Sequence, residues 1–164
     1  MFATPSEAIV YAMRASKVMV HRFVDDLKPS DFEFQPAPGA NCVAWILGHL
    51  ALTDRRSLAW LGVSDLPELP SGFDEMFPKT GQKAGEQSGF GDPKAIVAAF
   101  DAHRDRLIAA LKTVDPAKFL EPPSFQSPMF SDKGEGYLFM GLHTAMHMGQ
   151  VSAIRRSLGY PPLA

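Results

Sequence analysis

The sequence predicts an all-α protein, a four-helix bundle joined by long connections. Three observations carry that expectation. Most of the fourteen prolines and thirteen glycines cluster at 29–39, 62–93, 116–136 and 159–162, leaving four long stretches with few or none. Capping residues stand at the starts of these stretches, and apolar residues recur inside them at helical spacing. The chain has 164 residues, enough to bury a core of its own, so one domain over 1–164 is expected.

The first helix opens at Thr4-Pro5-Ser6-Glu7, where Thr4 is an N-cap acceptor, Pro5 suits the first turn and Glu7 completes a capping box. Ile9, Met13, Val20, Val24 and Leu27 follow as an apolar stripe, and Pro29 ends it. The second helix begins after Asn41, a good N-cap, and runs to Leu61 before Gly62. The third starts at Asp92-Pro93, carries Ile96, Phe100, Leu107, Leu111 and Val114 on one stripe, and closes at Pro116. The fourth runs from about Glu135 to Leu158, with Gly159 and Pro161 as stop signals.

Helices of roughly 20–24 residues are about 30–36 Å long, and matched lengths imply an antiparallel bundle. Connections of about 14, 31 and 20 residues are long for a simple up-down arrangement. The longest, Gly62 to Gly91, holds Phe73, Met76, Phe77 and Phe90. It is expected to fold over one end of the bundle, because those side chains would otherwise form an exposed apolar patch.

Composition narrows the function classes. Sixteen Lys+Arg against eighteen Asp+Glu give a net charge of −2, so there is no basic footprint and no nucleic-acid partner is expected. The longest apolar run, Cys42 to Leu52, is interrupted by His49 and too short to span a bilayer, so no membrane partner is expected either. No charged region followed by an apolar one opens the chain, which sets the cytoplasm as the expected compartment. The single cysteine, Cys42, excludes an internal disulfide and a zinc site built on cysteines. The second helix is apolar nearly all round and must be buried on most sides. A second copy of the chain covering part of it, a homodimer, is the expectation.

Soft-metal chemistry in this chain must rest on its five histidines. His143 and His147 are four apart, so both imidazoles lie on one helix face together with Phe139, Gln150 and Ile154. His49 stands in the apolar second helix among Trp45, Ile46, Leu50 and Leu52, where an unpartnered polar group is costly. Taken alone, His49 reads as a core histidine bonded to a backbone carbonyl. Three inward-facing histidines on two helices read differently: a divalent cation satisfies their nitrogens together. His103, beside the third helix's stripe, is either a fourth ligand, a neighbour that supports the others, or a boundary residue among Asp101, Arg104 and Asp105. His21 reads as a surface or boundary residue, and Asp54, Arg55 and Arg56 as a solvated face, with the lining of a substrate pocket as the alternative.

These residues resemble the DinB/YfiT-like family of metalloenzymes in three segments. They are Leu27-Lys28-Pro29-Ser30-Asp31-Phe32 leading to Pro36-Ala37-Pro38-Gly39; Asn41-x-x-x-Trp45-x-x-x-His49; and His143-x-x-x-His147-x-Gly149-Gln150 followed by Ile154-Arg155-Arg156-x-Leu158-Gly159. The resemblance implies a bundle of up-down-down-up topology, often dimeric, and a divalent metal held by His49, His143 and His147. It also implies a small-molecule substrate and, in part of the wider family, chemistry dependent on a low-molecular-weight thiol.

Three protein ligands with an open position are the pattern of a catalytic metal site, where a bound water or thiol is the nucleophile. Cys42 stands about 10 Å along the helix from His49 and is a poor direct ligand. No H-E-x-x-H, paired E-x-x-H, Gly-rich phosphate loop or nucleophile elbow is present. The leading expectation is a metal-dependent thiol S-transferase or hydrolase acting on a small electrophile. The alternatives are a non-catalytic metal-binding or dimerisation protein with a structural or relic three-histidine site, and metal-free core histidines. Zinc or nickel comes first as the metal, ahead of iron or manganese, although imidazole suits them all.

Overall fold

The computed structural model describes residues 2, 4–77, 88–124 and 126–163. Helix α1 spans Pro5–Val24, and the Thr4 hydroxyl accepts from the Glu7 amide at 3.2 Å as its cap. It stops short of Pro29. Lys28, the residue before that proline, is held extended, Leu27 is buried in the turn, and Pro29 starts a single 3-10 turn, Pro29–Asp31. Helix α2 spans Val43–Trp60 and α3 is one turn, Phe73–Met76. Helix α4 spans Pro93–Thr113 with Asp92 as its cap, accepting from the Lys94 amide at 3.0 Å. Helix α5 spans Lys133–Ser157, starting slightly before the expected Glu135 because the Asp132 carboxylate caps the Glu135 amide at 2.8 Å. Gly159 (φ 85°) takes the left-handed conformation that ends α5.

Asn41 does not cap α2. The cap position belongs to Cys42, and the Asn41 amide instead donates across the bundle to Gln150 on α5 at 3.3 Å.

The long helices pack in a ring, α1–α5–α2–α4, with α1 diagonal to α2 and α4 diagonal to α5. Side-chain bonds fix their directions. Arg155 near the end of α5 donates to the Phe23 carbonyl near the end of α1 at 2.9 Å, so these two run parallel. Tyr137 near the start of α5 donates to the Ser57 carbonyl near the end of α2 at 3.1 Å, so those two are antiparallel. His21 late in α1 meets Asp101 early in α4 at 2.8 Å, again antiparallel. The order is therefore up-down-down-up. Two connections join diagonal helices and the third, 61–92, joins the parallel neighbours α2 and α4, so it must regain the length of the bundle, which is why all three are long.

Burial divides into two apolar ends and a polar middle. At one end Val20, Val24, Leu47, Phe100 and Ile154 cluster with Phe32, Phe73, Phe77 and Phe90 from the connections. At the other, Ile9, Met13, Leu58, Leu107, Leu111 and Tyr137 cluster with Phe119 and Phe130. Between them lie the buried Ser16, His49, Asp54, His103, Arg104, Thr144 and His147.

The apolar second helix finds its cover within the chain. The Phe77 ring lies flat over Gly48, where any added Cβ would overlap it, and Phe90 stacks on Phe77 at 5.1 Å. The connection thus supplies the layer that a second copy was expected to supply. The apolar character of α2 no longer argues for a dimer. Among the described residues no helix is long and apolar enough to cross a membrane.

Candidate metal centre

The three predicted histidines meet. The antiparallel packing of α2 on α5 brings His49 to the level of His143 and His147. His143 Nε2 lies 3.3 Å from His49 Nε2 and 3.0 Å from His147 Nε2. One ligand atom from each falls within 4.8 Å of the others. His49 and His147 are buried and His143 is half-buried.

Neighbouring residues fix each ring. Trp45, one turn before His49, stacks on it with centroids 4.9 Å and planes 7° apart. Phe139 stacks on His143 at 6.1 Å and 16°. His147 Nδ1 stands 3.0 Å from Gln150 Oε1, which also receives the Asn41 amide. An amide oxygen only accepts, so the proton sits on His147 Nδ1 and its Nε2 turns a lone pair into the cluster. The spacing of Asn41, Trp45 and His49 thereby acquires a physical meaning. Asn41 just before α2 and Trp45 and His49 on it all meet groups of α5: the first orients the His147 support, the second orients His49, and the third joins the cluster.

Burial sets the charge state. Desolvation, with the adjacent His147 and His143 imidazoles and then Arg56 adding to it, pushes His49 down to about 3. Desolvation, followed by His147, Arg104 and Arg56, brings His143 down to about 4. His147 is lowered by burial against the opposing bond to Gln150. All three are neutral near pH 7, the form that ligates a metal.

The donor set fits a single divalent cation. Imidazole bonds of about 2.1 Å meeting at tetrahedral or octahedral angles put nitrogens roughly 3.0–3.4 Å apart, and the two closest Nε2 pairs stand at 3.0 and 3.3 Å. Neutral rings whose lone pairs converge this closely repel one another unless a proton or a cation lies between them.

The sequence model of the DinB superfamily matches residues 12–151, a span containing all three histidines. The chain belongs to the DinB superfamily. Among solved structures, YfiT from Bacillus subtilis, described as a probable metal-dependent hydrolase with an unusual four-helix bundle topology, is similar. Its TM-score is 0.66 at 15% identity, covering 95% of this chain and 89% of that one. No curated protein matches.

The remaining candidates of this DinB-superfamily chain lie elsewhere. His103 is fully buried, donates from Nδ1 to the Ala99 carbonyl at 2.8 Å, and accepts at Nε2 from Arg55 at 3.3 Å. Both nitrogens are engaged, so it is neither a fourth ligand nor a support of the cluster. His21 is held between Asp25 and Asp101 at 2.9 and 2.8 Å near the surface. Cys42 is a buried free thiol whose pKa burial pushes up.

Asp54 corrects the expectation of a solvated face. It is fully buried and pairs with Arg104, whose Nε donates to Asp54 Oδ2 at 2.6 Å and Nη2 to Oδ1 at 3.2 Å. Arg104 also donates to Ser16 Oγ (2.5 Å), Thr144 Oγ1 (3.1 Å) and the Met13 carbonyl (3.4 Å), which employs all five of its N–H groups across all four long helices. Sequence reading passed over Arg104. The available signal was positional, since Arg104 sits four after Phe100 and three before Leu107, inside the apolar stripe itself. Arg55 is also occupied, donating to the Pro67 carbonyl at 2.8 Å and so tying down the 61–92 connection.

Proposed function

We propose that this chain is a divalent-metal-dependent enzyme of hydrolase or thiol S-transferase type, acting on a small electrophile, with His49, His143 and His147 holding the ion. The observation that supports this reading best is the convergence of three neutral imidazoles from α2 and α5, each with its ring oriented by a neighbour. Three ligands leave a coordination position for water, thiol or substrate, as in catalytic rather than structural sites. When bound, a divalent ion supplies Lewis acidity there, enough to release a water or thiol proton near neutral pH.

The chain's own groups divide the remaining work. His147 is held in one tautomer by Gln150 and Asn41. Trp45 and Phe139 keep bulk water off two sides of the cluster, and the partial exposure of His143 marks the side from which a substrate reaches it. Zinc and nickel are the first metals to try, with iron and manganese next, because imidazole donors suit all of them.

The test is metal analysis of untagged protein, followed by turnover of small electrophiles with and without a panel of biological thiols. Bound metal with thiol-dependent turnover supports a transferase, and bound metal with thiol-independent hydrolysis a hydrolase. Bound metal with neither moves the account to a non-catalytic metal-binding protein.

We further propose that two copies pair through α5 and α1 rather than α2, in a reducing compartment such as the cytoplasm where Cys42 stays a free thiol. Leu138, Leu142 and Met146 lie one turn apart on α5 and are exposed, beside exposed Tyr11 and Val18 on the parallel α1. Sedimentation of wild type and Leu142→Glu tests this: a dimer that dissociates on substitution supports it, and a wild-type monomer refutes it.

A further inference from the structure

Further along α2 from His49 the structure holds a pocket of about 420 Å³, within the range of small-molecule sites. Leu52, Ala59, Leu66 and Phe77 form its apolar wall, and Arg55, Arg56 and Asp74 are its charged members. Leu52 and Arg56 follow His49 by three and seven positions and so continue the helix face on which His49 sits. Phe77 covers Gly48, the residue before His49, and lines the same pocket. The pocket and the cluster are therefore consecutive along α2.

The two arginines differ in what they are free to do. Arg55 is used by the fold, on the Pro67 carbonyl and His103. Arg56 is half-buried and donates from Nη2 to Thr53 Oγ1 at 3.0 Å, its one hydrogen-bond partner among the described residues. That bond runs back toward the start of α2, the direction in which helical side chains lean, and brings the guanidinium toward His49. Thr53 in turn donates to the His49 carbonyl at 2.8 Å. The Arg56 charge acts on both His49 and His143, and burial depresses its own pKa despite the field of exposed Asp74. A guanidinium in a fixed position, with most of its donors unused among the described residues, at an apolar pocket is a receptor for an anion.

We propose that Arg56 is a specificity-determining residue that binds the carboxylate of a small organic anion, placing the rest of that molecule along the apolar pocket with its reacting atom toward His49, seven positions back along α2. One guanidinium partly offset by Asp74 matches a single negative charge. This inference rests on the reading of the histidines as a metal site for its catalytic meaning, but the anion pocket itself is testable without metal.

The probe is 4-phenylbutyrate, compared with its neutral isostere 4-phenylbutanamide. Ligand-observed NMR measures binding of each to wild type, Arg56→Gln and Arg56→Lys, with and without one equivalent of zinc, after circular dichroism has verified folding. The expected result is a preference of about tenfold for the carboxylate in metal-free wild type. Arg56→Gln should abolish it and Arg56→Lys retain part of it. Equal binding of the two probes by metal-free wild type, or an undiminished preference in Arg56→Gln, overturns the proposal whether or not zinc binds. An Arg56-dependent preference in a protein that takes up no zinc sustains the anion pocket and removes the metal reading instead.

Discussion

Two polar clusters sit at mid-height in the same bundle, and they are built on opposite principles. Around Arg104 every donor has an acceptor: the five N–H groups meet Asp54, Ser16, Thr144 and the Met13 carbonyl, and the charges cancel. Around His143 the imidazoles face one another nitrogen to nitrogen, and the outer contacts of His147 only ensure that its lone pair points inward. The first cluster is complete as protein. The second turns ring nitrogens toward one another, an arrangement that a divalent cation would satisfy together. Buried polar groups with the same need for partners thus separate into scaffold and site according to whether the chain itself supplies those partners.

Breaking the closed cluster gives the largest effect. Asp54→Ala leaves the Arg104 cation buried without its counter-ion, and chemical denaturation should show a loss of about 3–5 kcal/mol. The double replacement Asp54→Leu with Arg104→Met should recover most of it, because an apolar pair of similar volume has no charge to strand. Equal losses in single and double variants would mean that the knot matters for packing rather than for charge.

Acid should separate the clusters next. His49 and His143 have folded pKa values of about 3 and about 4, below the ordinary 6.5. Between those limits the unfolded chain binds more protons than the folded one. Their contribution is therefore fully present above about pH 6.5 and declines as pH falls toward 4, at up to about 1.4 kcal/mol per pH unit for each histidine. Denaturation of metal-free wild type at pH 7 and pH 5 should show this loss. His49→Gln and His143→Gln should each remove its share of the slope.

The smallest effect lies in the support of the open cluster. Gln150→Ala frees the His147 tautomer and should weaken metal binding by about 10–100-fold with little change in stability, read by competition against a chromophoric chelator. Unchanged affinity would show that Gln150 and Asn41 join helices without tuning the ligand.

The sequence-level reading went furthest where a signal was local or periodic. Pro5, Pro93 and Gly159 mark the helix ends because backbone geometry demands them there, and His143 and His147 share a face because a helix turn takes nearly four residues. The meeting of His49 with that pair is read from the cost of burying three inward-facing histidines and from the family resemblance, since no local pattern tells which helix α5 packs against. Three features stayed hidden for one reason, namely that the partner is remote in sequence. Asn41 looked like a cap but bonds Gln150; Asp54 looked solvated but pairs with Arg104; α2 looked short of cover that Phe73, Phe77 and Phe90 supply. Charged residues inside an apolar stripe, as at Asp54 and Arg104, are the sequence mark of such buried pairs.

The central claim is that the histidine cluster is an open cation site rather than a set of core side chains. Its most direct test is zinc uptake by untagged, metal-stripped wild type and His147→Ala, measured as metal retained after desalting, with melting temperatures of both metal-free proteins. The account predicts about one equivalent in wild type, less than about a tenth in the variant, and metal-free melting temperatures within about 4 °C of each other. Wild type that retains less than about a tenth of an equivalent of zinc, nickel, iron or manganese and gains no thermal stability from any of them would contradict it.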